Sequence, residues 1–168
     1  MKYVTASVLA LAVTVLPTLQ TVQAQGMRTL PPSACHVLNG RDFAAAGVPQ
    51  PRLLAGVVDN TTGCEFVFGA PPHMLTVTVR LISQLRGSDP LQRDVCAGAH
   101  AHPGQSCTPL HGYGKFGALF QGIGPGGEGA AVAFQTSRYQ IALSGMGVPG
   151  GSVPAVQRLG KILASRYR

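Results

Sequence analysis

Acidic side chains are scarce in this chain, with six Asp and Glu against thirteen Lys and Arg in 168 residues. Paired carboxylates for acid and base catalysis need acids to spare, and the few present fit structural roles. Asp42 and Asp89 stand where helix caps are expected, Asp59 lies among turn formers, and Glu128 sits in a glycine-rich hairpin. Aromatic residues make up only 6%, and tryptophan is absent. Arg28, Arg41, Arg52, Arg80, Arg86 and Arg93 stand well apart with few aromatics between them, which disfavours a nucleic-acid surface. The net charge of +7 then serves mainly solubility. Long apolar runs are missing too, since no segment approaches the roughly 20 uninterrupted residues of a membrane span.

What is present begins with an export signal. Lys2 gives a charged start, Val4 to Leu16 form a short apolar core, and Pro17 breaks it. Val22, Gln23 and Ala24 then offer small or branched residues at the positions a signal peptidase reads. The expected division is a signal peptide over 1–24, a flexible arm over 25–34 and a single α+β domain over 35–168. Cleavage after Ala24 would release a soluble periplasmic or secreted protein with no integral membrane segment. No cysteine stands at the cleavage site to carry a lipid anchor. Outside the cytoplasm, a basic protein meets phospholipid head groups, wall polymers or acidic proteins as its anionic partners, rather than nucleic acid.

The four cysteines, Cys35, Cys64, Cys96 and Cys107, form an even set, which an oxidising compartment turns into two disulfides. Three pairings are possible. Sequential pairing, Cys35 with Cys64 and Cys96 with Cys107, is favoured because each pair flanks one compact piece of chain.

Asn39 is placed to cap a first helix with Asp42 as its capping-box partner, Leu38 to staple against Phe43, and Gly47 to end the helix. Strands are expected at Leu53 to Val58 and Cys64 to Phe68, joined across Asp59 to Gly63. Leu75, Val77, Val79 and Leu81 alternate with Thr76, Thr78 and Arg80, the clearest strand in the chain. Such alternation implies an antiparallel sheet with one face buried. A short helix is expected from Pro90 to Val95, and an ordered loop over Ala97 to Gly114. Strands follow at Phe116 to Phe120, Ala130 to Phe134 and Tyr139 to Leu143. Ser152 is read as the cap of a terminal helix whose Val156, Leu159, Ile162, Leu163 and Tyr167 share one side. The expectation is an α+β fold in which N-terminal and C-terminal helices pack on one face of an antiparallel sheet.

The segment Ser33 to Leu38, the helix ending at Gly47, the Gly63-Cys64-Glu65-Phe66 strand, the turn near Gly122-Ile123-Gly124 and the closing Arg158 to Ala164 form a pattern of spacings. This pattern resembles a family of small secreted or lipid-anchored bacterial proteins of unknown function with a PsbP-like fold. The resemblance implies a non-catalytic envelope protein and carries over no active site. The chain departs from that family at Phe66, where tryptophan is common, and in lacking a lipidation cysteine.

Two GxGxxG strings occur, Gly122 to Gly127 and Gly145 to Gly150. The second follows a strand and precedes a helix, as a dinucleotide fingerprint requires. No second parallel strand or acidic residue about 20 positions on follows it, and Pro149 removes a backbone donor, so both strings read as turns. Ser144 lacks the glycine two positions earlier that a nucleophile elbow uses. The strongest chemical cluster is His100, His102 and His111 with Cys96 and Cys107 close by. Reduced thiols there could ligate zinc or copper, but a disulfide would leave only imidazoles on a loop. The reading is an exported, non-catalytic envelope or periplasmic binding protein without a cofactor. It would recognise a protein or an anionic envelope component. The alternative is a periplasmic zinc or copper binder using the His100/His102 loop.

Overall fold

The computed structural model describes residues 33–54, 63–69, 73–84, 96, 104–124 and 127–167. A 3-10 turn at Ala34–His36 leads into α1 (Gly40–Ala45). Ala34, at the end of the expected arm, is already buried in that turn. The capping box read from sequence is formed at α1. Asn39 Oδ1 accepts from the amides of Arg41 and Asp42 at 2.9 and 3.3 Å, and the Asn39 amide donates to Asp42 Oδ2 at 2.9 Å. These bonds satisfy amides that a helix start otherwise leaves unpaired.

Seven strands follow: β1 (Arg52–Leu53), β2 (Gly63–Val67), β3 (Met74–Leu81), β4 (Ser106–Pro109), β5 (Phe116–Gly124), β6 (Gly127–Gln135) and β7 (Tyr139–Met146). They form one sheet in the order β1-β2-β3-β7-β6-β5-β4, with every neighbouring pair antiparallel. The expected alternation in β3 holds, with Leu75, Val77 and Val79 fully buried. Their cross-strand partners Gly145, Leu143 and Ile141 in β7 face the same way, and Ala130, Val132 and Phe134 of β6 continue the layer. One face of the sheet therefore carries the core.

Helix α2 (Ser152–Arg166) lies against β6 and β7 and buries Ala155, Val156, Leu159, Gly160, Leu163 and Ala164. Gly160 lets it sit close, because a Cβ there would come within 3.0 Å of Val132 Cγ1. At the other end of the core Phe43 of α1 makes edge contacts with Phe66 and Phe68, with ring centroids 5.4 and 6.4 Å apart.

Three expectations change. Ser106 to Pro109, read as part of a loop, is a fourth strand of the second half, pairing with β5 at the sheet edge. Ser152 is the first residue of α2 and not its cap. The cap is Gly151, which has no side chain to offer, while Ser152 Oγ accepts the Val148 amide at 3.3 Å and braces the preceding turn. The strands after Phe116 run several residues beyond their expected ends. The signal peptide, the turn at Asp59 to Thr62 and the helix at Pro90 to Val95 lie outside the described residues.

Candidate functional site

Both cysteine pairs are sequential. Cys35 joins Cys64 across a Cα separation of 5.0 Å, tying the 3-10 turn to β2, and Cys96 joins Cys107 across 5.5 Å. Cys64 is buried, so the first bridge is part of the core. The second sits on β4, where Cys107 pairs with Phe120. With the thiols of Cys96 and Cys107 joined, the sequence cluster keeps only its imidazoles. His111 lies exposed in the turn after β4, while His100 and His102 fall outside the described residues. Among the described residues, no group of three or more His, Cys, Asp or Glu side chains comes together to hold a metal ion. His73 is engaged, its Nδ1–H donating to Gly147 O at 2.6 Å.

Of the two glycine strings, Gly122 and Gly124 lie within β5, Gly127 opens β6 and Gly145 lies within β7, while Gly147 and Gly150 lie in the turn before α2. Gly147, Gly150 and Gly151 adopt positive φ between β7 and α2, and Gly127 does so at the β5 to β6 hairpin. Gly145 is buried against Val148 and Val156, where a Cβ would come within 3.0 Å of both.

The sheet has a second face, opposite the one on α2, and sequence reading did not single it out. Because the strands are in register, its residues form rows. One row runs Thr76, Ser144, Ala131, Phe120, Cys107. The next runs Thr78, Ala142, Ala133, Ala118, Pro109. Arg80, Gln140, Gln135 and Phe116 close one end, and Met74, Met146, Gly129 and Gly122 the other. Most of these side chains are small, which leaves the surface shallow.

At the Gly129 end a depression of about 240 Å³ opens, bordered by Phe120 and Met146, with Gly122, Gly129 and Ala131 at its base and Ser144 beside it. Ser144 is exposed although β7 is central in the sheet. Ile123, 85% exposed and the most exposed of the large apolar side chains described, borders the depression near the hairpin end of β5, where strand alternation places it with Leu119 and Gln121 on the other face, beside Glu128. Among the described residues, none that borders this depression is charged. The opposite end differs. Gln135 is only 7% exposed, and the side-chain oxygens of Gln135 and its cross-strand neighbour Gln140 are buried without a hydrogen-bond partner.

The sequence signal for the depression was strand alternation alone, which puts Gly129 and Ala131 opposite Ala130 and Val132. No family model, curated protein or solved structure matches the chain.

Proposed function

We propose that this is an exported, non-catalytic protein of the bacterial periplasm or envelope that binds another protein through the depression between Phe120 and Met146. The observation that carries the reading is that shallow, glycine-floored depression on the outward face, at the end of the hairpin that also exposes Ile123. An apolar side chain with room around it, beside a shallow apolar hollow, suits contact with a partner's side chains better than it suits a small molecule, which needs a deeper enclosure. The hollow lies at the end of the sheet, so a partner could enter without displacing the core.

Export is supported by the signal-like first 24 residues and by two disulfides, which fit an oxidising compartment. Among the described residues, no helix is long and apolar enough to cross a membrane. The resemblance to small secreted or lipid-anchored bacterial proteins points the same way. The edge contacts of Phe43 with β2 and the ion pair between Asp42 and Arg166 support both helices sharing the core face, which leaves the other face for contact. A protein is favoured over a lipid surface by the placement of charge. Among the described residues, Arg158 and Lys161 lie on the exposed side of α2, across the sheet from the depression, and Arg80 lies at the other end of the outward face, so these basic residues do not gather where the apolar contact is.

The test compares tagged mature protein with Ala131→Asp and Lys161→Glu variants in capture from envelope extract. A specific protein retained by the wild type and Lys161→Glu but lost with Ala131→Asp is the expected result. Capture of anionic vesicles instead, equal capture by all three forms, or release of a chemically altered substrate contradicts the proposal.

A further inference from the structure

At the end of the sheet marked by Tyr139, two turns come together. The turn over 110–115, between β4 and β5, meets the hairpin that joins β6 to β7, and the Lys115 amide donates to Gln135 O at 2.7 Å across the junction. Gly114 permits the approach. Its φ is 67°, and a Cβ there would overlap the same carbonyl oxygen. Between the turns lies a cleft of about 280 Å³, lined by Gly112, Gly114, Lys115, Thr136 and Ser137.

The groups still open in this cleft are donors. The Thr136 hydroxyl is already engaged, accepting the Arg138 and Tyr139 amides at 3.3 and 3.0 Å. The amides of Gly112, Gly114 and Ser137 take no backbone acceptor among the described residues, and the Ser137 hydroxyl is exposed. The Lys115 ammonium stands 5.3 Å from the centre of the Phe116 ring and is paired with no carboxylate among the described residues. Arg138 and His111, next to the lining residues in the chain, are exposed as well. The acids described are Asp42, which is spent on Arg166, Glu65 in β2 and Glu128 at the far hairpin, and none of them lines the cleft.

We infer that this cleft binds a phosphate group, held by the Lys115 ammonium, the Ser137 hydroxyl and the turn amides, and drawn in by the field of Arg138. Amides of turn residues form concavities that suit anions. A tetrahedral phosphate offers oxygens in several directions to such a set of donors, where a carboxylate offers two in one plane. The cleft is too small and open for an extended ligand, which needs deeper enclosure. Lipid head groups and soluble phosphates present the same chemistry to it. The inference does not rest on the protein-binding role proposed above, because the depression lies at the opposite end of the sheet.

The test follows the backbone amides of the intact, oxidised mature protein by NMR while inorganic phosphate replaces chloride at constant ionic strength. Saturable shifts confined to residues 112–115 and 136–138 are expected. Lys115→Gln should weaken the binding about three- to fivefold, and Lys161→Gln on α2 should leave it unchanged. Lys115 is exposed, and unmoved amides elsewhere in the same spectra show that the variant is folded. A second arm adds vesicles of phosphatidylcholine with or without phosphatidylglycerol. Broadening of the same amides by the anionic vesicles, relieved by free phosphate, assigns the site to a head group, and a response to inorganic phosphate alone assigns it to a soluble phosphate. No saturable shift, shifts spread over all exposed amides, or undiminished affinity in Lys115→Gln overturns the inference. None of these readings depends on a partner protein, so this inference can fail while the binding proposal stands.

Discussion

Asp42 and Arg166 lie 124 residues apart and meet at 2.7 Å, linking the first helix to the last turn of the final one. Asp42 has two roles there. One carboxylate oxygen closes the capping box on the Asn39 amide, and the other takes the guanidinium, which also donates to the Val37 carbonyl. Asp42→Ala removes both roles and is expected to cost about 2 kcal/mol, roughly half from the cap and half from a partly exposed ion pair. Asp42→Asn keeps an oxygen for the cap and costs about 0.5 to 1 kcal/mol. Urea unfolding of the two variants separates the terms. Equal losses would show that the cap contributes nothing.

Tyr113 connects the turn after β4 to α2, its hydroxyl donating to the Gln157 carbonyl at 2.8 Å. Burial raises its pKa above the ordinary value of 10.0. Because the folded pKa exceeds the unfolded one, the folded state favours the neutral phenol. Its contribution is complete below about pH 10 and is lost as the pH climbs from there through the folded pKa. Tyr113→Phe is expected to cost about 1 kcal/mol at neutral pH. Unfolding midpoints measured from pH 8 upward should decline less steeply above about pH 10 in Tyr113→Phe than in the wild type. Parallel declines would assign the alkaline loss to other groups.

The two disulfides differ in what they constrain. Cys35 and Cys64 are 29 residues apart, and Cys96 and Cys107 are 11 apart. Loop-closure entropy then assigns about 3.6 kcal/mol to the first bridge and about 2.8 kcal/mol to the second. Replacing the first pair by alanine should lower stability more, with an added packing loss at buried Cys64. Denaturant midpoints of the two double variants check the ranking, and the reverse order would contradict it.

Close packing of α2 on the sheet depends on glycine at two points. A Cβ on Gly145 would press on Val148 and Val156, and one on Gly160 would crowd Val132 and Tyr113. Gly145→Ala is expected to cost about 1 to 3 kcal/mol through overpacking. Gly129→Ala, whose nearest atoms leave ordinary contact distance, should cost less than half as much. Thermal unfolding of the pair measures the difference.

The sequence made the core face legible because burial leaves an alternation, as from Leu75 to Val79, and because Asn39 and Asp42 stand at capping spacing. Strand β4 left no such trace. It is a short edge strand whose four residues are mostly exposed, so Ser106-Cys107-Thr108-Pro109 shows no apolar period. The terminal cap is hidden for a similar local reason, since a serine before a helical pattern resembles a cap even when a glycine with positive φ makes the turn. The depression was hidden more deeply. Gly122, Phe120, Gly129, Ala131 and Met146 come from three strands, and only the register of two hairpins brings them side by side.

Photo-crosslinking in living cells tests most directly whether a partner protein seats at the end of the sheet near Ile123. A photoreactive residue is placed at Ile123, at Ser144 and, as an exposed control across the sheet, at Lys161. One discrete protein adduct shared by positions 123 and 144 and missing at 161 is expected. Adducts of equal yield at all three positions, or none at 123 and 144, would contradict it.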